Sequence, residues 1–326
     1  MRSPIAAMFA TPTVASLAAL IRGIEPDSAR AGVRAPSSPQ IRPAGPADIE
    51  PICRFLHQGF IANPVPPATW RRLFDYRWLD EKPDLGFVLT VEEEIVGFLG
   101  AIYAWRKIRG KTGLLCNLTS WYVLPEYRGW GAALLAYAVR DQDITITALT
   151  PAPIVRQMLA AMRFDTLNTS KIALPPLFHI GTLRQPRPII SFDRETVRRS
   201  LDDEHRRVFD DHAGYDCLQL VLRAGSERAF LVVKRSVKRA ARLMGLKIPH
   251  SDILYCSDPA LLARHLEWAK LAIMRRQRTL FLFADERIFP VRPSGVSFEA
   301  LQFYRSPRFV AADLDKLYSE VVLLPL

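Results

Sequence analysis

The chain has 326 residues, 49% of them hydrophobic, and a net charge of +11. At roughly 150 residues per domain this length suits two domains, and the apolar content excludes a disordered chain. The charge surplus admits a phosphorylated ligand, an acidic protein, a nucleic acid or an anionic membrane, and more than half of it falls in residues 186–326.

Four cysteines, Cys53, Cys116, Cys217 and Cys256, lie far apart, with no CxxC pair and no histidine cluster at zinc-ligand spacing. No metal is expected, and the thiols read as the reduced ones of a cytoplasmic protein. No apolar run approaches the ~18 residues that a membrane span needs.

In chain order, residues 5–21 form an apolar stretch broken by Thr11-Pro12-Thr13, which suits a short amphipathic helix better than a signal peptide. Residues 23–40 are rich in Pro, Ser, Ala and Gly and read as a linker, so a domain should begin near Ile41. Asp48 marks the start of a helix through Phe60, and a second helix is expected from Pro67 to Leu79. The β-rich runs Gly86–Val91 and Ile95–Trp105, separated by three glutamates, predict a hairpin. Leu114–Leu124 is a third strand, closed by Pro125. Then come a helix over Gly131–Arg140, a strand over Ile144–Leu149 and a helix over Pro151–Met162.

A second Pro-rich break follows at Arg184-Gln185-Pro186-Arg187-Pro188. Beyond it the spacing predicts a helix near Glu195–Asp211, strands at Leu218–Arg223, Ala229–Val233 and Ile253–Cys256, a long helix Pro259–Arg276, and a strand Thr279–Ala284. Strand, strand, strand, helix, strand occurs in both parts, which points to a diverged duplication. The expected class is α/β with a mixed α+β sheet, organised as a helix and linker (1–40), a first domain (41–185) and a second (186–326).

One segment carries chemistry. From Ser120 to Leu135 an apolar strand runs into the turn Arg128-Gly129-Trp130-Gly131-Ala132-Ala133, which opens directly into an apolar helix. Glycines let a ligand approach the backbone, and the first helical N–H groups converge on the turn, a geometry suited to a pyrophosphate. Two antiparallel-looking strands precede it and no Gly-Lys-Ser/Thr follows, so neither a dinucleotide fold nor a P-loop fits.

This segment resembles the GNAT superfamily of acyl-CoA N-acyltransferases, whose signature is Arg/Gln-x-x-Gly-x-Gly/Ala after a long strand. The match is Arg128, Gly131 and Ala133, with the lead-in Val123, Pro125, Glu126, Tyr127, Arg128 and Gly129. It extends over residues 41–175, and the second part is a candidate degenerate GNAT-like lobe, because its glycines are isolated. The resemblance implies that acetyl-CoA, another acyl-CoA or a carrier-bound thioester is the donor. The N–H groups from Gly129 through Trp130, Gly131 and Ala132 to Ala133 would hold its pyrophosphate, and the backbone of Tyr122 and Val123 would pair with the pantetheine amides. It further implies direct attack by a substrate amine, from a small molecule or a peptide, with no covalent enzyme intermediate. Cys116 is then a packed strand residue rather than a nucleophile.

The departures are equally specific. Many family members place a glutamate on the motif strand as general base, and L-L-C-N-L-T-S-W-Y-V contains no carboxylate. The place of the usual tyrosine acid is taken by Leu159, and Arg163 stands where a glycine is common. The amine could arrive deprotonated, the base could come from elsewhere, or the protein could bind acyl thioesters or dock a partner without turnover. His57, Asp75 and Tyr76, on the two N-terminal helices that wall the acceptor site in this family, are replacement candidates for proton transfer.

Two further features concern partners. Residues 8–21 resemble the last helix of phosphopantetheinyl carrier domains, without their serine attachment motif. Lys234, Arg235, Lys238, Arg239 and Arg242 are spaced to share one helix face, a solvated face or a docking surface for an acidic acyl carrier protein. Interleaved aromatics are missing there, which disfavours nucleic acid.

Overall fold

The structure, a computed structural model, describes residues 38–60, 65–177, 186–240 and 246–325. The helix expected over residues 5–21, its carrier-like segment and nearly all of the linker lie outside them.

Twelve strands form one sheet: β1 (Gln40–Pro43), β2 (Phe87–Val91), β3 (Glu94–Ile108), β4 (Lys111–Val123), β5 (Thr145–Ala148), β6 (Asp165–Leu174), β7 (Ile189–Ser191), β8 (Cys217–Ala224), β9 (Glu227–Ala240), β10 (Leu246–Cys256), β11 (Phe281–Asp285) and β12 (Val296–Arg305). Their order across the sheet is β1-β2-β3-β4-β5-β12-β6-β11-β10-β9-β8-β7. Read inward from either edge, the first five strands of each half follow in sequence. Among the described residues only β4/β5 and β10/β11 run parallel, at the same place in each half. The sixth strand of each half crosses over: β12 pairs with β5, β6 pairs with β11, and the two pair with each other at the centre.

The helices are α1 (Ile49–Gly59), α2 (Pro67–Trp70), α3 (Gly131–Ala138), α4 (Pro153–Ala161), α5 (Arg194–Arg199), α6 (Asp203–His212), α7 (Pro259–Arg264), α8 (Leu266–Gln277) and α9 (Glu320–Leu323). Among the described residues, no helix is long and apolar enough to cross a membrane. One core cluster spans both halves, joining Ile52 and Phe98 to Phe209, Phe230, Leu317 and Leu323.

The β2–β3 hairpin forms as expected, with Glu92 and Glu93 both at positive φ, the two-residue turn whose twist suits flanking strands. Other elements differ from expectation. The helix expected from Pro67 to Leu79 stops as a helix at Trp70, and a 3-10 turn follows over Arg71–Leu73. The reason lies in the aromatics: Phe74, Tyr76 and Trp78 are buried while Asp75 and Arg77 are exposed, an alternation of two that only extended chain satisfies. The helix expected near Glu195–Asp211 is two helices, the second capped by Asp202, whose carboxylate accepts the His205 N–H. The long helix expected over Pro259–Arg276 breaks at His265.

The basic helix face does not exist. Lys234, Arg235, Lys238 and Arg239 lie on strand β9, where neighbours alternate between faces, and Arg242 is outside the described residues. Lys234 turns inward and is buried; its ammonium donates to the Val322 and Leu324 carbonyls and closes the end of α9. Burial lowers its pKa. Arg235 turns outward and donates to the Gln277 carbonyl.

Candidate functional site

Strands β4 and β5 pair only over Leu115–Asn117 and Thr145–Thr147. Beyond Asn117 they part, while β4 stays paired to β3 as far as Val123. A bulge bends β4 within this stretch: Gly100 faces Thr119 and Phe98 faces Tyr122, so two residues, Ser120 and Trp121, oppose Leu99 alone. Ser120 takes φ of 50° there. Bulges re-aim side chains and end regular pairing, which is what opens the fork.

A cavity of about 300 Å³ fills it. Leu118, Thr119, Ser120 and Trp121 of β4 form one wall. Ala148, Thr150, Pro151 and Ala152, with Val155 and Leu159 of α4, form the other. Phe60 and Trp70 close it from the N-terminal side, and Glu320 and Leu324 enter from α9 and the residue after it. The lining is mostly apolar.

At the end of β4, a 3-10 turn over Pro125–Trp130 leads straight into α3. The Gly131 N–H donates to the Arg128 carbonyl and closes this turn. Gly131 has φ of −57°, and a Cβ built there would meet Trp121 at 3.5 Å, an ordinary contact. A Cβ at Gly129 would meet nothing within 4 Å. Neither backbone conformation nor packing therefore asks for glycine at these two positions. Space left open above a turn at a helix N-terminus fits a phosphate drawn close to the backbone. Ala132 and Ala133 follow, half-buried, in the first turn of α3; Trp130, which ends the 3-10 turn, is half-buried too, and Arg128 is exposed. Val123 is buried opposite Gly97, and the half-buried Tyr122 ring packs 5.2 Å from Phe55 and 5.8 Å from Phe60.

None of the three proton-transfer candidates lines the cavity. His57 is exposed and its Nδ1 lies 2.9 Å from the Val65 carbonyl. Asp75 is exposed beside Arg71 at 3.5 Å. Tyr76 is buried, stacked on Trp78 at 4.9 Å, and its hydroxyl accepts the Tyr103 N–H. Burial pushes its phenol well above the ordinary range. Cys116 is likewise buried in β4, and burial raises its thiol, which opposes nucleophilic use.

The cavity does hold a carboxylate that the motif gave no sign of. Glu320 is 1% exposed and stands where β4 and β5 separate. Its backbone N–H donates to the Asn117 side-chain carbonyl at 3.2 Å, and Asn117 in turn donates to the Thr147 hydroxyl across the last paired rung. The Thr150 hydroxyl donates to Glu320 Oε1 at 2.7 Å. Oε2 is buried and has no hydrogen-bond partner among the described residues. Burial, partly offset by Thr150, pushes the Glu320 carboxyl up to about 7.

The family model described as "Acetyltransferase (GNAT) family" matches residues 54–142, a span that contains β4, the glycine turn and α3. Over this segment the chain is similar to the GNAT family. Two solved structures share the architecture. A GCN5-related N-acetyltransferase from Anabaena variabilis ATCC 29413 is 12% identical, with 82% of this chain and 71% of that chain covered at a TM-score of 0.51. A GCN5-related N-acetyltransferase from Kribbella flavida is 10% identical, with 84% and 72% covered at a TM-score of 0.53. At such identities the likeness is one of fold. No curated protein matches this sequence.

Within the GNAT fold, the two departures noted in the sequence have structural counterparts. Leu159 is buried against the cavity. Arg163, where a glycine is common, adopts φ of 60° just past α4, the left-handed position that glycine occupies most easily. In the second half the corresponding turn, between β10 and α7, carries Asp258, whose carboxylate accepts the Leu261 N–H. An acid already seated on that helix start opposes an anionic ligand by charge and position.

Proposed function

We propose that this protein transfers an acyl group from coenzyme A, or from a carrier-bound thioester, to an amine by direct attack on the thioester. The observation that supports this most is that the fork cavity and the glycine turn share their neighbours: Trp121 and Leu135 line the cavity, and Trp121 lies 3.5 Å from a Cβ built at Gly131. The turn would receive the pyrophosphate on the N–H groups around Gly129–Ala133, and pantetheine would run along the free edge of β4 past Tyr122 and Val123. The thioester would then lie between Thr119–Trp121 and Ala148–Ala152, in an apolar space that excludes water. In this reading residues 41–185 form the donor-binding domain. Residues 186–326 complete its sheet with β12 and close its cavity with α9, and their own cofactor turn is lost.

A second reading is a thioester-binding module without turnover, favoured by Leu159 at the place of the usual acid. The two separate on mixing the purified protein with acetyl-, butyryl- and octanoyl-CoA and a panel of polyamines, aminoglycosides, amino acids and peptides. Transfer predicts release of free thiol that depends on the amine added. Binding with no amine-dependent thiol release across the panel selects the module, and no binding of any thioester removes both.

A further inference from the structure

We propose that Glu320 is the general base that takes the proton from the acceptor amine. The proposal rests on the acyl-transfer reading above and names a residue for it. Three observations converge on this side chain. It borders the cavity at the point where β4 and β5 part, the place the thioester would occupy. One carboxylate oxygen, Oε1, is anchored by Thr150, which fixes the group's orientation. The other, Oε2, is buried with no partner among the described residues, an arrangement that costs stability unless a donor arrives. An amine or ammonium N–H is such a donor.

The electrostatics agree. A base that works near neutral pH needs a pKa near 7, and burial brings the Glu320 carboxyl to about 7. The elements packed against this turn carry Asn117 on β4, Thr150 after β5, Lys234 on β9, and Arg71 and Arg72 in the 3-10 turn that α9 meets, and Thr119 and Ser120 share the cavity. Asn117 and Thr150 are neutral, Arg71 and Arg72 are exposed, and the Lys234 ammonium is occupied by the Val322 and Leu324 carbonyls. No charged neighbour contributes to the shift, which is set by burial and the two neutral partners.

Several buried contacts hold the chain that leads to this point. Ser319 caps α9 by accepting the Val321 N–H, Lys234 closes its far end, and Arg106 of β3 grips Asp315 through two hydrogen bonds of 3.2 and 3.0 Å. Lys316 sits between Asp252 and Asp285. These contacts fix where the carboxylate stands, as a catalytic group requires.

The step balances as follows. The Glu320 carboxylate takes a proton from the substrate ammonium, and the neutral amine forms the C–N bond at the thioester carbon. The tetrahedral adduct collapses with cleavage of the C–S bond, and the N–H proton of the adduct passes to the departing thiolate. The products are an amide and a free thiol, and Glu320 returns its proton to solvent.

Glu320→Gln tests this, with acyl-CoA affinity measured alongside turnover. The wild type is expected to show kcat/KM rising with pH through an apparent value near 7. The variant is expected to lose about 100-fold or more in kcat and to lose that pH limb, while binding acyl-CoA within twofold of wild type. It should also melt at a higher temperature than wild type at pH 8 and at about the same temperature at pH 5. A carboxyl raised by burial destabilises the fold as pH climbs from its unfolded value through its folded one, and the amide does not. A Gln variant that retains acyl-CoA binding, kcat within threefold and the same pH limb overturns the assignment. Should the Gln variant misfold, Glu320→Asp serves: it keeps a carboxylate, so partial activity with the pH limb retained supports the base, and full activity with no limb opposes it. A wild type that releases no thiol with any amine removes the acyl-transfer reading itself, and the base with it.

Discussion

Gly131→Glu should abolish detectable acyl-CoA binding, an affinity loss of about 100-fold or more, equivalent to roughly 3 kcal/mol. The variant puts a side chain and a negative charge into the space above the first turn of α3, where the donor's pyrophosphate would be received. Gly131 is buried beside Trp121, so this variant is also expected to lower the stability of the apo fold. Gly129→Glu provides the cleaner companion, since its Cβ meets nothing within 4 Å. The Gly129 variant should melt with the wild type when free of ligand, and both variants should lose the rise in melting temperature that acyl-CoA gives the wild type. Wild-type affinity in both, measured by calorimetry, would sink the assignment of this turn to the pyrophosphate.

Lys316→Met should lower stability by about 3–5 kcal/mol, a fall of roughly 10 °C in Tm for a chain of this size. The ammonium is 1% exposed and lies 2.8 Å from Asp252 Oδ1 and 3.2 Å from Asp285 Oδ1. Methionine fills the volume but takes the ammonium away from two buried carboxylates. Asp252 keeps Lys171 at 2.7 Å, whereas Asp285, 1% exposed, keeps only Arg287 at 3.8 Å. The flanking lysines Lys171 and Lys316 hold the Asp252 carboxyl at about 2, against burial. A carboxyl depressed in this way contributes stability that is complete above its unfolded pKa of about 4 and is lost as pH falls toward 2. The gap in Tm between variant and wild type should therefore be full at pH 7 and narrow below pH 4. Because Lys316 lies four residues before Glu320, thiol release should fall as well. A loss under 1 kcal/mol at pH 7, measured by chemical denaturation, would mean that the pairing contributes little.

The first half was legible because its information is local. The β4 strand, the glycine turn and α3 are contiguous, and the Glu92-Glu93 turn lies between two strands that pair with each other. The base candidate was not legible for the opposite reason. Glu320 meets Asn117 across 203 residues, and nothing in Ser319-Glu320-Val321-Val322 marks it. The one available sign was negative, a motif strand with no carboxylate of its own. The insertion of β12 between β5 and β6 is equally non-local, and no element was expected over residues 296–305.

Two elements differ from expectation because one signal outweighs another. Pro67 suggests a helix start, but the alternation of Phe74, Tyr76 and Trp78 imposes extended chain. The cations after Val233 suggested a solvated helix, but β9 continues through them, and Lys234 is buried because two carbonyls at the end of α9 receive it.

A structure of the protein with a non-hydrolysable thioether analogue of acyl-CoA tests the central claim most directly. The expected result has the pyrophosphate on the Gly129–Ala133 turn and the acyl carbonyl in the fork between Thr119–Trp121 and Ala148–Ala152, with Glu320 Oε2 facing the acceptor side of the carbonyl carbon. An analogue seated elsewhere, with the glycine turn empty and the fork closed, would contradict it.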